Sequence, residues 1–168
     1  MIIRLEKWED VKAIRNVTEQ AFGRPQEADI IDALRANNRV ILSLVAVHED
    51  VVAGHILFFP VNIESEHRTF AAIGLGPMAV LPQYQKQGIG SALVREGLDM
   101  LQQQFKSAVI VLGHAEFYPR FGFVPASSHG IKTTYDIPGD VFMVRELCPG
   151  ALAKIRGTVI YSEEFDEA

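Results

Sequence analysis

The spacing of apolar residues along the chain predicts three amphipathic helices. The first follows Glu9-Asp10, whose acidic side chains suit a helix N-terminus, and is interrupted at Gly23-Arg24-Pro25. The second ends near Asn37-Asn38. The third is the longest and runs from about Gly88 to Gln104. Its apolar stripe contains Ile89, Leu93, Val94, Leu98, Leu101 and Phe105.

Runs of β-branched and aliphatic residues predict the strands. A short strand opens the chain at 2–5, and three successive strands with polar connections predict an antiparallel meander. These three cover Val40 to Val47, Val51 to Ile63 and Phe70 to Leu81. The apolar run Ala108 to Leu112 is typical of a strand covered on both faces. Weaker patterns follow, a short helix at 115–121 and strands at 141–147 and 158–161.

This order of elements, β-α-α-β-β-β-α-β-α-β-β, predicts an α/β fold with a central mixed sheet flanked by helices. No composition shift or linker divides the chain, so we expect a single domain over 1–168, with a short, frayed acidic tail at about 162–168. Pro77 falls inside the third meander strand, beside Gly74 and Gly76. Because proline cannot donate to a strand ladder, we expect a bulge or a stop in pairing there.

Composition narrows the function classes. The net charge of −5 disfavours a nucleic-acid surface, and no apolar run is long enough to span a membrane. The N-terminus does not resemble a secretory signal. The single cysteine, Cys148, excludes an intrachain disulfide, which suits a cytoplasmic protein. The five histidines and this cysteine show no metal-ligand spacing, so we expect no metal.

The segment from Gln85 to Ser91 predicts an anion site. Here a strand ends and Gly88 and Gly90 open an amphipathic helix, whose first backbone N–H groups have no partners within the helix. Lys86 adds a positive charge. A dinucleotide fingerprint is disfavoured because Leu93 occupies the third glycine position, and the Lys-Ser/Thr of a P-loop is missing. A tight turn without a ligand is the structural alternative.

The segment Gly113 to Phe123 contains a strand end, a short helical stretch and the turn Phe121-Gly122-Phe123. Read alone, its aromatic residues are more typical of packing than of chemistry. Tyr118, five residues before Phe123, is the candidate functional group in it.

Together the two segments resemble the GNAT acetyltransferases. Gln85-Lys86-Gln87-Gly88-Ile89-Gly90 matches the Q/R-x-x-G-x-G/A signature of that family, and Val80-x-Pro82 precedes it as expected. The resemblance implies a GNAT-like fold with a bulged strand at the coenzyme site and acetyl-CoA as co-substrate. The backbone N–H groups that it implies for the pyrophosphate belong to Lys86, Gln87, Gly88, Ile89, Gly90 and Ser91. The residues that it implies for the pantetheine arm and the acetyl carbonyl are Met78, Ala79 and Val80.

The same resemblance implies a role for Tyr118. In the family a tyrosine at this spacing from a final Phe lies by the coenzyme sulfur and is proposed to protonate the leaving thiolate, which makes Tyr118 the expected general acid. Pro119 directly after it restricts its backbone. The implied reaction is direct attack of a primary amine on the thioester. A coenzyme-binding sensor without turnover is the alternative, and an acyl group other than acetyl is a further one.

The sequence does not single out a general base or an acceptor. His55, Glu64, His114 and Glu116 are candidate bases. Cys148 lacks the context of an activated nucleophile. We expect the acceptor, a small molecule or a protein amine, to contact residues 22–40 and the polar loops after Phe123. The family resemblance also makes a homodimer plausible.

Overall fold

The computed structural model describes residues 1–105 and 107–166. Its α-helices in these ranges are α1 (Val11–Phe22), α2 (Gln26–Ala36) and α3 (Ile89–Gln104). Its strands are β1 (Ile2–Leu5), β2 (Leu42–His48), β3 (Val51–Glu64), β4 (Thr69–Val80), β5 (Ala108–Leu112), β6 (Val124–Pro125), β7 (Ile131–Thr133), β8 (Phe142–Glu146) and β9 (Gly157–Ile160). The three predicted helices and the predicted central strands are confirmed. The predicted short helix at 115–121 is a 3-10 helix over Tyr118–Phe121.

The described residues group into two compact units, and the first holds 1–59, 76–99 and 164–166. Strand β2 pairs antiparallel with β1 and with the first part of β3, and the pairing of β2 with β3 agrees with the first half of the predicted meander. The turn between β2 and β3 places Glu49 and Asp50 in the left-handed region, with φ of 49° and 62°. Two such residues suit a tight hairpin, because their backbone twist matches that of the strands.

Helices α1 and α2 bury one face each in this unit. Ile14 and Val17 of α1 and Ile31 and Leu34 of α2 are at most 1% exposed, so the apolar spacing read from the sequence is the buried face. On the outer face, the Arg15 guanidinium of α1 links the two helices by contacting two carboxylates of α2. It lies 2.8 Å from Asp29 Oδ1 and 2.7 Å from Asp32 Oδ2.

The second unit holds residues 60–75 and 100–163. Here β4 pairs parallel with β5, and β5 pairs antiparallel with β8, which also pairs with β6. Strand β9 pairs with the end of β3 and, in parallel, with β7. The sheet is therefore mixed, as predicted. Val109, Ile110 and Val111 of β5 are at most 1% exposed, which confirms a strand covered on both faces.

The parallel ladder between β4 and β5 covers Ile73–Leu75 and Val109–Val111. It therefore ends two residues before Pro77, whereas β4 itself continues to Val80. This agrees with the prediction that pairing stops near Pro77.

The C-terminal segment corrects one prediction. Glu164 is 1% exposed at its side chain and accepts hydrogen bonds of 2.7 Å from Asn37 Nδ2 and from Arg39 Nη1. The Phe165 ring lies 4.6 Å from the Phe59 ring. The prediction of a frayed tail is wrong for these residues, because a buried ion pair and an aromatic contact fix them. Residues 167 and 168 of the predicted tail lie outside the described residues.

The prediction of one domain over 1–168 stays a prediction. Within residues 1–105 and 107–166, no helix has the length and apolar character needed to cross a bilayer.

Candidate active site

The loop between β4 and α3 is tied back to the end of its own strand. A 3-10 turn over Pro82–Tyr84 starts it. The Gln85 side chain then donates from Nε2 to the Val80 carbonyl oxygen at 3.0 Å, and the Leu81 N–H donates to the Ala53 carbonyl oxygen at 2.8 Å. These two bonds close the loop onto β4 and β3. The role of Gln85 is one that the sequence reading missed.

The loop turns through two left-handed residues before the helix begins. Lys86 has φ of 63° and Gly88 has φ of 87°. Lysine rarely adopts this conformation, so the backbone at Lys86 is strained. Lys86, Gln87 and Gly88 are all exposed, and no atom lies within 4 Å of where a Gly88 side chain would begin. The backbone of this turn is therefore open to an approaching ligand.

Helix α3 adds N–H groups to the same place. The Ala92 N–H donates to the Gly88 carbonyl oxygen at 3.0 Å, so the amides of Ile89 and Gly90 precede this first bond of the helical ladder. Such amides, with the positive end of the helix dipole, favour a bound anion. The loop thus has the features of an anion site, and the assignment of Lys86 to Ser91 to a phosphate group stays a prediction.

The predicted strand residues adjoin this loop in the first unit. Ala79 and Val80 are buried, at 4% and 9% exposed, and Met78 is half-buried. Ala79 and Leu81 form a small apolar cluster with Val17 of α1. The end of β4, which carries the candidate residues, therefore packs against α1.

Gly54 of β3 is a second residue that the sequence reading missed. A side chain at Gly54 would begin 3.0 Å from Ile89 Cγ2 and 3.3 Å from the Ala79 carbonyl oxygen. Both of those residues belong to the candidate coenzyme site. The missing side chain lets the first turn of α3 and the end of β4 approach β3 closely.

Tyr118 lies in the second unit, at the start of its 3-10 helix. Its ring is 6% exposed and makes edge contacts with the rings of Phe117 and Phe123, at centroid distances of 5.0 and 5.6 Å. A side chain at Gly113 would collide with the ring, because it would begin 2.9 Å from Tyr118 Cδ2. Gly113 therefore shapes the seat of the tyrosine.

Burial raises the pKa of Tyr118 to about 12, because the phenolate form loses hydration. The hydroxyl is consequently protonated at neutral pH. Within the described residues it makes no hydrogen bond, so its proton is free for a ligand atom. The structure shows the packing role of the aromatic cluster, and the chemical role of Tyr118 stays a prediction.

His55, a candidate base, is completely buried in the first unit. Ser43 Oγ donates to Glu6 Oε1 at 2.7 Å and lies 2.8 Å from His55 Nε2. Because the hydroxyl has one hydrogen, Nε2 must carry the proton of that second bond. The Nδ1 atom is then unprotonated, and it has no partner among the described residues.

Burial lowers the pKa of His55 to about 4, against a smaller opposing effect of Glu6. Glu6 is itself partly buried, but hydrogen bonds from Arg35 and Ser43 outweigh that burial and lower its pKa. A substrate cannot reach His55, and the structure removes it from the candidate bases. His114 and Glu116 are exposed in the second unit, as is Glu64 at the end of β3.

Comparison with known proteins identifies the family. The sequence profile of the acetyltransferase (GNAT) domain matches residues 2–126. The uncharacterized N-acetyltransferase YhbS of Escherichia coli K12 is 34% identical over 167 residues, 99% of each chain. YjhQ of the same strain, also an uncharacterized N-acetyltransferase, is 40% identical over 132 residues, 77% of this chain and 73% of YjhQ.

Two solved structures share the fold. The crystal structure of E. coli YhbS in complex with CoA has a TM-score of 0.92 and 32% identity, covering 98% of this chain and 91% of that one. A GNAT family acetyltransferase from Brucella melitensis in complex with acetyl-CoA has a TM-score of 0.81 and 36% identity, covering 98% and 97%. The chain belongs to the GNAT family, and it is an N-acetyltransferase with the α/β fold of that family.

Proposed function

We propose that this N-acetyltransferase takes its acetyl group from acetyl-CoA and binds the coenzyme with the end of β4 and the loop that leads into α3. Residues Lys86 to Ser91 hold the pyrophosphate through backbone N–H groups, and Met78 to Val80 hold the pantetheine arm and the acetyl carbonyl. The observation that carries the proposal is the open left-handed turn at Lys86 and Gly88, directly before the amides of Ile89 and Gly90, which precede the first bond of the helical ladder. The coenzyme complexes of the two relatives support it.

The proposed reaction is direct transfer to a primary amine. The lone pair of the neutral amine attacks the thioester carbonyl carbon, the carbon–sulfur bond breaks, and the electron pair leaves with sulfur as the coenzyme A thiolate. The nitrogen loses one proton and the sulfur gains one, so the products are an N-acetyl amide and the free thiol. No redox partner is needed.

We propose Tyr118 as the general acid of this step. Its pKa of about 12 keeps the hydroxyl protonated, and its lack of a hydrogen-bond partner leaves it able to donate to the departing sulfur. A simple thiol has a pKa of about 8.5, so full proton transfer from the tyrosine is uphill. Tyr118 therefore stabilises the thiolate mainly by donating a hydrogen bond, and the proton released by the amine balances the reaction.

Calorimetric titration with acetyl-CoA tests the binding half of the proposal, with adenosine diphosphate as the control ligand. We expect saturable binding of acetyl-CoA that is stronger than binding of the diphosphate. Absence of binding by folded protein would mean that the turn at Gly88 is only structural.

Thiol release in the presence of a panel of primary amines tests the catalytic half. We expect amine-dependent release of free coenzyme A, with the acetylated amine detected by mass spectrometry. Tight acetyl-CoA binding with no release for any amine would favour the alternative, a sensor domain without turnover.

A further inference from the structure

The second unit contains a cavity of about 440 Å³ that the proposed reaction does not use. The end of β8 and the residues after it form one wall, from Val144 to Pro149. Gly122, Val124, His129 and Gln102 complete the lining. A volume of this size lies within the range of small-molecule sites, about 300–1,000 Å³.

Arg145 in this lining is a cation without a partner. Within the described residues its guanidinium makes no hydrogen bond and no ion pair, and its Nη1 atom is closed to solvent. Leaving a charged donor unpaired and out of water is costly. Other arginines of this chain do have carboxylate partners: Arg4 with Asp10, Arg15 with Asp32, Arg24 with Glu27 and Arg35 with Glu6.

The Arg145 side chain is held in place by its stem. A side chain at Gly122 would begin 3.1 Å from Arg145 Nε and 3.5 Å from its Cδ, so the stem packs directly over that glycine. Gly122 has φ of 88°, a conformation that favours glycine. The cation is therefore presented at the cavity wall by a close contact that a larger residue at Gly122 would prevent.

The carboxylate in the same lining does not neutralise this cation. Glu146 follows Arg145 on β8, and consecutive side chains of a strand point to opposite faces. Its Oε2 atom accepts a hydrogen bond of 2.9 Å from the Leu152 N–H. Glu146 thus binds a backbone amide and makes no ion pair with the Arg145 guanidinium.

We propose that this cavity binds a small organic carboxylate through the guanidinium of Arg145. The planar fork of guanidinium donors matches the two oxygens of a carboxylate. Gln102 and His129 supply further N–H donors, while Val124, Val144, Leu147 and Pro149 give the lining an apolar part. This combination favours an anion with an apolar body over inorganic phosphate.

The test uses benzoate as the probe and benzyl alcohol as its neutral counterpart, titrated into the full chain labelled with ¹⁵N-arginine. We expect benzoate to shift the Nε–Hε signal of Arg145 saturably in the millimolar range, and benzyl alcohol to leave that signal in place. Inorganic phosphate should bind at least about threefold more weakly than benzoate, because it lacks an apolar body. No saturable shift of the Arg145 signal by benzoate would overturn the proposal.

Arg145→Met and Arg156→Met form a matched pair of variants. Arg156 also packs its stem over a left-handed glycine, with its Cγ 3.3 Å from where a Gly130 side chain would begin, but it does not line the cavity. We expect Arg145→Met to weaken benzoate binding about tenfold or more and Arg156→Met to leave it unchanged. Equal binding by both variants would refute the assignment to Arg145. If Arg145→Met does not fold, the shift of the wild-type Arg145 signal by benzoate, compared with benzyl alcohol, decides whether the cavity binds a carboxylate.

Discussion

The coenzyme loop and the seat of Tyr118 present their functional groups in opposite ways. In the loop, Lys86, Gln87 and Gly88 are exposed, and the groups proposed to bind the ligand are backbone amides. At Tyr118 the reverse holds, because the ring is buried among aromatic residues and the group proposed to act is a single side-chain hydroxyl. The two regions should therefore respond differently to substitution.

A site built from backbone amides tolerates most side-chain changes unless the new side chain occupies the ligand's space or changes the local φ. A site built from one hydroxyl depends on that atom and on the packing that aims it. Substitutions in the loop should therefore act by blocking the ligand's space, and they should lower coenzyme affinity. Substitution of the tyrosine should act by removing the hydroxyl, and it should lower turnover.

Gly88→Glu should have the largest effect. The new carboxylate enters the open space beside the left-handed turn, where it clashes with the pyrophosphate and repels it. We expect coenzyme affinity to fall by about 100-fold or more, measured by calorimetry with acetyl-CoA. Retained affinity in a folded variant would remove the loop from the site.

Gly23→Glu is the matched control for that variant. Gly23 is also left-handed, with φ of 69°, and it also has no atom within 4 Å of its side-chain position. It ends α1 and lies outside the candidate loop. Both variants introduce the same charge and similar backbone strain. The difference between their affinities for acetyl-CoA therefore measures the direct effect of the new carboxylate on the bound coenzyme.

Tyr118→Phe should lower kcat by about 100-fold and leave coenzyme affinity within about twofold of wild type. The substitution removes the hydroxyl but keeps the ring contacts. Steady-state kinetics with a saturating amine measure the first effect, and calorimetry measures the second. Tyr161→Phe, at a second tyrosine of the same unit whose pKa burial raises, serves as the control and should keep full turnover. An unchanged kcat in Tyr118→Phe would exclude the hydroxyl from the mechanism.

The turn between β4 and α3 could be predicted from the sequence because the residues that determine it are close together in the chain. A strand end, Gly88 and Gly90 and the start of an apolar helical stripe lie within a dozen residues, and they specify the turn together. The same holds for α1 and α2, whose apolar spacing matches their buried faces. Tyr118 is predicted from its spacing to Phe123 within a family pattern. The contact between the two rings gives that spacing a structural reason, whereas the catalytic role stays a prediction.

What the sequence did not predict depends on contacts between distant residues. Gly54 is unremarkable in its own strand, and its importance appears only when α3 packs on it. His55 looked like a candidate base because a strand pattern does not say which face is buried. Glu164 sits in an acidic, loop-like tail, and its burial against Arg39 needs residues more than a hundred positions apart.

Two buried titratable groups, one in each unit, should make stability depend on pH in opposite directions. His55 has a folded pKa of about 4, below the ordinary value of 6.5, so the unfolded chain binds its proton first. Stability should therefore fall as pH decreases from 6.5 toward 4. Tyr118 has a folded pKa of about 12 against an ordinary 10, so stability should fall as pH rises through that window.

Chemical denaturation across pH measures both effects, each of the order of 3 kcal/mol at most. His55→Gln should flatten the acid side of the profile and leave the alkaline side unchanged. Tyr118→Phe should reduce the fall on the alkaline side and leave the acid side unchanged, with Tyr161 contributing the rest of the alkaline fall. A variant that changes neither side would show that its residue is not the buried group responsible.

Gly54→Ala should weaken coenzyme binding by about three- to tenfold, because the added methyl group displaces Ile89 and the end of β4. Gly97→Ala is a matched test of the same packing at another point of α3. A side chain there would begin 2.5 Å from Phe58 Cε2, so it strains the helix on β3 without touching the loop. We expect both variants to lose about 1 to 3 kcal/mol of stability. Only Gly54→Ala should lose affinity, and an equal loss in Gly97→Ala would mean that Gly54 acts on stability alone.

Lys86→Gly should have the smallest effect and tests whether the loop binds mainly through its backbone. Glycine relaxes the left-handed φ of 63° while removing the charge, so the turn should persist. We expect coenzyme affinity to fall by only about two- to fivefold, with a weaker dependence on salt than in wild type. Lys86→Gln, which removes the charge but keeps the strained φ, separates the two contributions. A loss as large as that of Gly88→Glu would show that the lysine ammonium, and not the row of amides, dominates recognition of the pyrophosphate, and the contrast with Tyr118 would then disappear.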